Sequence, residues 1–300
     1  MFSNPQQNNQ ENTLKDGVDI IYWINLDRSQ DRKQNIQNMF QDNSLRNIPN
    51  VRIKAVDGKT DNIDKYIQNK KTDNIKSTEY ACTISHLNAI QEFSKTEYNV
   101  ALILEDDVCL DFKPYWKKSI KEMIDSAPKD WDIIQLCYIT ILGKKFDQEF
   151  ELDPSSKNLC STAAYIINNR ASKKLMQKIN YGGKYQLEME LPHQADRYLY
   201  KALVTYCYKY PFFIYRTENE SYIHPEHVNF HNYSKNLIKN MYDYGVYDVS
   251  WWYRYKWVLL LVILVLLYFI IKNYTKITKL ILGLKVKSRA YTLKYLKPFL

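Results

Sequence analysis

Short β-branched and aromatic runs alternate with amphipathic stretches over the first two thirds of the chain, and this alternation restricts the possible folds more than any other feature. Val18–Leu26 suits a buried strand, and Asp31–Phe40 sets Ile36, Met39 and Phe40 against Arg32, Lys33 and Gln37, as a helix starting near Ser29 would. Val51–Val56 before Asp57-Gly58 reads as a second strand and turn, and Thr83–Phe93 has helical spacing. Strand-like Val100–Leu104, Trp131–Leu136 and Ser161–Ile167 continue the alternation, with helix-like Tyr115–Ile124, Arg170–Ile179 and Ala195–Leu203 among them. Strands that alternate with helices imply an α/β fold in which a mostly parallel sheet is covered by helices on both faces.

The net charge of +9 suggests nucleic acid until its location is considered. From Trp251 onward there are ten basic residues and no acidic one; taking those ten from the 42 in the whole chain leaves 32 against 33 acidic residues. The basic character belongs to the tail alone, and Met1–Ser250 has no basic patch with interleaved aromatics, which argues against a nucleic-acid partner. Five widely spaced cysteines without a C-x-x-C pair suggest neither a zinc site nor a disulfide framework, so reduced, mostly buried thiols are expected. Residues 1–16 are polar and rich in Asn and Gln and read as a disordered lead-in rather than a signal peptide.

In open α/β sheets ligands collect at the carboxyl ends of strands, and Glu105, Asp106 and Asp107 follow Val100–Leu104 directly. If the chain is still extended there, Glu105 and Asp107 point the same way and Asp106 points elsewhere. Three adjacent carboxylates repel one another, and a hard cation such as Mg²⁺ or Mn²⁺ shared with diphosphate oxygens relieves that repulsion. A solvated acidic loop is the plain alternative.

Further segments stand in an ordered series: Ile24-Asn25-Leu26-Asp27-Arg28-Ser29 with Arg32, Ala55-Val56-Asp57-Gly58-Lys59, Cys82-Thr83-Ile84-Ser85-His86-Leu87, Leu102 to Val108, and Ala163 to Ile167. With weaker echoes at Pro192 to Asp196 and Ser221 to Ile223, the series resembles glycosyltransferase family 25, which includes lipooligosaccharide and collagen galactosyltransferases. The resemblance implies a GT-A-like, Rossmann-type sheet and a UDP-sugar donor whose diphosphate is bridged by Mn²⁺ or Mg²⁺. It implies transfer of a hexose, galactose or glucose, to a glycan, lipid-linked or protein acceptor, with inversion.

On that reading Glu105-Asp106-Asp107 stands in for the family's D-x-D element, with Asp107 and Glu105 as metal ligands and His224 as a late third ligand. Asn25, Arg28, Arg32, Asp57, Ser85, His86, Glu105 and Asp106 are the donor-site candidates, and Asp196 is the candidate general base ahead of Glu188 and Glu190. Each also has a structural reading: helix capping for Ser85, turn chemistry for Asp57, surface charge for Arg28 and Arg32, and a satisfied buried imidazole for His86. Cys82 reads as core rather than nucleophile. Tyr222 stands where the family carries Asp.

Trp257–Ile271 is wholly apolar or aromatic, and at 1.5 Å per residue it extends roughly 22 Å. Trp251, Trp252, Tyr253, Tyr255 and Tyr274 flank it as an interfacial belt would, and Arg254, Lys256 and Lys272 are placed to snorkel. The expected organisation is a glycosyltransferase domain over 17–250, a C-terminal membrane-associating helix over 251–274 and a basic amphipathic tail over 275–300, with the catalytic region facing the cytosol. A dip and return, a helix lying on the anionic surface, or a single span with a lumenal domain glycosylated at Asn219 and Asn232 each fit the tail. Two other functions fit the carboxylates less well: another metal-dependent phosphoryl-transfer or hydrolytic enzyme, and a non-catalytic, membrane-tethered sugar-binding module.

Overall fold

The first apolar run forms β1 (Ile20–Asn25), buried along its whole length, and leads through a short turn into α1 (Gln30–Met39). The computed structural model describes residues 17–71, 75–140, 146, 148–156, 158–216, 228–243 and 250–296. After α1 come β2 (Asn50–Lys54), α2 (Ser77–Ser94), β3 (Val100–Glu105), β4 (Val108–Cys109), α3 (Ile120–Ser126) and β5 (Ile133–Gln135). Next are β6 (Phe150–Leu152), β7 (Ala164–Asn168), α4 (Asn169–Ile179), the small hairpin β8 (Asn180–Tyr181) and β9 (Lys184–Tyr185), and α5 (Ala195–Ala202). β10 (Thr205–Tyr208), β11 (Ile214–Tyr215) and α6 (Val228–Asp243) complete this unit, which extends to Tyr247.

Seven strands form one sheet in the order β2-β1-β3-β7-β5-β10-β6. β2, β1 and β3 run parallel, as do β5 and β10, but β7 lies antiparallel between β3 and β5, and β6 is antiparallel at the edge. The sheet is therefore mixed, where the alternation suggested a mostly parallel one. The reason is physical: a strand buried on both faces carries the same apolar signature whichever way it runs.

Helices cover both faces, as expected. Ile20, Tyr22, Ile24, Ala101, Ile103, Tyr165 and Ile167 pack with α2, α4 and α5 on one side. The alternate residues Ile21, Trp23, Leu102, Leu104, Ala164 and Ile166 pack with α1 and α3 on the other. Each fully buried aliphatic side chain in these layers contributes roughly 1.5–3 kcal/mol. α4 begins where the Asn168 side chain accepts the Ala171 N–H at 2.8 Å, and its buried stripe is Leu175, Met176 and Ile179.

The helix expected over Tyr115–Ile124 starts later. Ser119 and Glu122 form a capping box that fixes the first turn at Ile120, while Lys113–Tyr115 is a separate 3₁₀ turn. Trp116 between them is drawn into the core, with its indole N–H donating to the Phe212 carbonyl at 3.0 Å.

The second unit, Asp248–Leu300, holds α7 (Ser250–Leu296), a single uninterrupted helix of 47 residues, roughly 70 Å long. Its segment Tyr255–Tyr274 has mean hydropathy 2.3, has no buried residue, and is long and apolar enough to cross a membrane. A dip and return within the segment needs a turn, and α7 has none. The lead-in over residues 1–16, His224, the Ser221 to Ile223 motif and the Asn219 sequon lie outside the described residues.

Candidate active site

The period of two that sorts the core also sorts the acidic cluster. Ala101 and Ile103 face α2, and Glu105 continues on that side, where its Oε1 lies 3.2 Å from Nε2 of His86. Asp106 turns to the α1 side: its Oδ2 accepts from Asn25 Nδ2 at 2.6 Å and its Oδ1 from Arg32 Nη1 at 3.1 Å. The extended geometry expected for Asp107 ends here, because β3 stops at Glu105 and residues 106–107 form a turn. Asp107 thus shares a partner with Asp106: the same Arg32 Nη1 donates to its Oδ2 at 3.1 Å. The turn is pinned from the far side by β4 and β11, with the Arg216 N–H donating to the Asp107 carbonyl at 2.6 Å.

Burial raises Asp107 to about 7, helped by the charges of Glu105 and Asp106 and opposed by Arg32. Burial also raises Asp106 despite Arg32 and Asn25, whereas at Glu105 the His86 and Thr162 hydrogen bonds and Arg32 outweigh burial and hold the carboxyl below its usual range. Oδ1 of Asp107 is buried and takes no hydrogen bond from any described residue. Repelled, desolvated carboxylates with an orphaned oxygen suit a hard divalent cation, so the residues present fit the Mn²⁺ or Mg²⁺ that the sequence implies.

These carboxylates floor a cavity of about 690 Å³, counting its open mouth, between the ends of β1, β2 and β3 and the first turns of α2. Asn25, Arg28, Arg32, Asp57, Ser85, His86, Glu105, Asp106 and Asp107 all line it. Several of them are engaged with one another. Arg28 Nε donates to Asp57 Oδ2 at 2.6 Å, which holds the Asp57 carboxyl below its usual range. Arg32 is 7% exposed and bound to the acidic cluster. Ser85 Oγ accepts from the Val56 N–H at 2.9 Å and donates to the Ala81 carbonyl at 2.7 Å, tying the Val56-Asp57 loop to α2.

Asp196 lies outside this cavity in the first turn of α5, where it accepts from the Ser161 and Arg197 amides at 3.3 and 2.8 Å. It is near enough to Cys82 for its charge, after burial and Glu105, to raise that thiol. Glu188 pairs with Lys178 at 2.7 Å, and Glu190 is exposed.

Four residues that the sequence did not single out shape the site. Arg52 Nε donates to Asn25 Oδ1 at 2.9 Å, which fixes the amide so that its NH₂ faces Asp106. Thr162 Oγ1 donates to Glu105 Oε1 at 3.0 Å, and the Tyr165 hydroxyl lies 3.2 Å from His86 Nδ1. Ser161 has φ 115°, a left-handed value that costs a non-glycine residue on the order of 1–3 kcal/mol. Bonds to Tyr200, Tyr215, Gln135 and Asp196 hold it there. Tyr165 lies within the Ala163 to Ile167 motif, but no local pattern marks Arg52, Ser161 or Thr162, because their partners are distant in sequence.

The model of glycosyltransferase family 25, described as an LPS biosynthesis protein family, matches residues 18–187, more than half of the chain. The chain belongs to glycosyltransferase family 25. The family resemblance read from the motifs is thereby borne out. Human procollagen galactosyltransferase 2 is 26% identical over 207 residues, covering 61% of this chain and 31% of its own length. A glycosyltransferase 25 family member of Aedes aegypti is 27% identical over 186 residues, 55% of this chain and 29% of its own. This family 25 chain spans about a third of the length of the curated relatives it matches. A crystal structure of a glycosyltransferase involved in glycosylating the major capsid of PBCV-1 aligns with 70% of this chain and 98% of its own, at TM-score 0.36 and 10% identity. That likeness is too slight to argue from.

Proposed function

We propose that the chain is a metal-dependent, inverting glycosyltransferase of GT-A type that moves a hexose, galactose or glucose, from a UDP-sugar to a glycan, lipid-linked or protein acceptor. The observation that carries this reading is the buried, unpartnered Asp107 Oδ1 within a mutually repelling carboxylate cluster at the floor of the cavity. Family membership supports the nucleotide-sugar donor, and the similarity to procollagen galactosyltransferases supports galactose.

Asp107 and Glu105 would hold Mn²⁺ or Mg²⁺, with His224 completing the set. When bound, the cation supplies positive charge against the negative charge that develops on the departing diphosphate. Arg32 keeps Asp106 and Asp107 together and limits their repulsion. Asn25, oriented by Arg52, fixes Asp106 as an acceptor facing the donor. Arg28, at the exposed rim, turns from Asp57 to the diphosphate, since a guanidinium forks onto phosphate as readily as onto carboxylate. Asp196 takes the proton of the acceptor hydroxyl.

A screen of nucleotide-sugars for nucleotide release by the full chain tests this reading. Release from a UDP-hexose only when Mn²⁺ or Mg²⁺ is present supports it, and release that persists unchanged in chelator contradicts it.

α7 anchors the enzyme to a membrane through Tyr255–Tyr274, with the catalytic region on the cytosolic side. Protease added to the cytosolic face of sealed membranes should digest residues 17–247, and protection of that region would contradict the orientation.

A further inference from the structure

Cys82 and His86 are four residues apart on α2 and so share one face of the helix, which meets the end of β3. A cysteine Sγ, an imidazole nitrogen and a carboxylate oxygen from Cys82, His86 and Glu105 all lie within 4.8 Å of one another. The three residues line the same open cavity, which leaves room for a fourth ligand. This is the ligand chemistry of an open zinc site: thiolate, imidazole and carboxylate, with a free corner for water.

Two details of the geometry favour it. His86 Nε2 and Glu105 Oε1 are 3.2 Å apart, close to the roughly 3.3–3.8 Å edge that bonds of 2.0–2.3 Å make in a tetrahedral site. Behind the ring, the Tyr165 hydroxyl oxygen lies 3.2 Å from Nδ1 and can accept a hydrogen bond from Nδ1–H, which leaves Nε2 free for a metal and fixes the orientation of the ring.

We propose that Cys82, His86 and Glu105 form a site for a thiophilic dication such as Zn²⁺, and that its occupation shuts down the cavity by withdrawing Glu105 from the donor side. The inhibitory half rests on the proposed glycosyltransferase reading; the binding half does not. On binding, the Cys82 S–H bond breaks, its proton leaves to solvent and a metal–sulfur bond forms. The imidazole proton exchanges through water from Nε2 to Nδ1, and nothing is oxidised or reduced. The negative charges of Glu105, Asp107 and Asp196 near Cys82 favour a bound cation. The hard carboxylate pair Asp106 and Asp107 offers no sulfur or nitrogen and discriminates in the opposite direction.

The test uses the full-length protein with Co²⁺ as a spectroscopic stand-in for zinc, in the absence of nucleotide-sugar. Wild type should show a thiolate-to-cobalt charge-transfer band that stoichiometric Zn²⁺ abolishes, and Cys82→Ser, with unchanged far-UV circular dichroism, should lose the band and bind cobalt roughly tenfold or more weakly. Independently of any variant, Zn²⁺ should slow alkylation of Cys82 at least tenfold by peptide mapping, while exposed Cys160 reacts at its usual rate. Absence of both the band and the protection overturns the site. If UDP release by wild type is unaffected by zinc that saturates the cobalt signal, the inhibitory half falls and the glycosyltransferase reading stands. Relief of zinc inhibition in Cys82→Ser, relative to that variant's own zinc-free rate, supports it.

Discussion

Nη1 of Arg32 lies 3.1 Å from Oδ2 of Asp107, and the same nitrogen is 3.1 Å from Oδ1 of Asp106. One guanidinium nitrogen thus serves two carboxylates that would otherwise repel each other in a buried corner. Asp107 still has Oδ1 without a hydrogen bond from the described residues, and burial still raises it to about 7. The corner is held together by Arg32 and still under-neutralised, as the proposed cation site requires.

That imbalance makes the metal-free protein pH-dependent. A carboxyl raised from 3.8 to about 7 binds its proton more tightly folded than unfolded, so its stabilising contribution is complete below 3.8 and is lost as pH rises through about 7. Asp107→Asn removes that loss. In urea unfolding with chelator present, the variant should match or fall below wild type at pH 4 and exceed it at pH 8 by on the order of 1–3 kcal/mol. Equal pH slopes for the two proteins would refute this assignment of strain to Asp107.

Gly58 tests how tightly the cavity wall is built. A Cβ there would meet Thr78 Cα at 2.5 Å and the Ser77 carbonyl oxygen at 2.6 Å, both backbone atoms of α2's first turn. Gly58→Ala should cost about 1–3 kcal/mol in urea unfolding and weaken UDP binding, because the loop it displaces carries Asp57 into the cavity. Gly182→Ala is the control: its φ of +57° costs about 1 kcal/mol, but nothing lies within 4 Å, and UDP binding should be unchanged.

Much of this was legible before the structure because period-two alternation carries direction as well as burial. Val100–Leu104 fixes which side Glu105 and Asp106 take, and the motifs after β1 and on α2 line the same cavity. The rest needed three dimensions. The place where β3 stops decides that Asp107 shares Arg32 with Asp106, and no residue in the run Leu104 to Val108 signals that stop. β7 runs against its neighbours without changing the apolar pattern that announced it. β10 carries Thr205 to Tyr208, a run of four residues too short to stand out. Arg28 and Asp57, named separately as donor-site candidates, proved to be partners across 29 residues of sequence.

Arg28 separates function from stability. Its pair with Asp57 is 39% exposed on the arginine side, and such pairs contribute about 0–1 kcal/mol. Arg28→Gln should therefore leave the thermal midpoint within a few degrees of wild type while raising KM for the UDP-sugar about tenfold, the loss of roughly 1.4 kcal/mol of phosphate contact. Steady-state kinetics beside thermal unfolding measures both, and an unchanged KM would remove Arg28 from the donor site.

The account rests on a cation at Asp107 serving a departing nucleotide, and UDP release is its most direct measure. Full-length wild type supplied with UDP-galactose and then UDP-glucose should release UDP in Mn²⁺ or Mg²⁺ and cease when the metal is chelated. Asp107→Asn should run at least about tenfold slower in saturating metal, the scale expected when electrostatic stabilisation of a leaving group is lost. Release at the wild-type rate by Asp107→Asn, undiminished by chelator, would contradict the account.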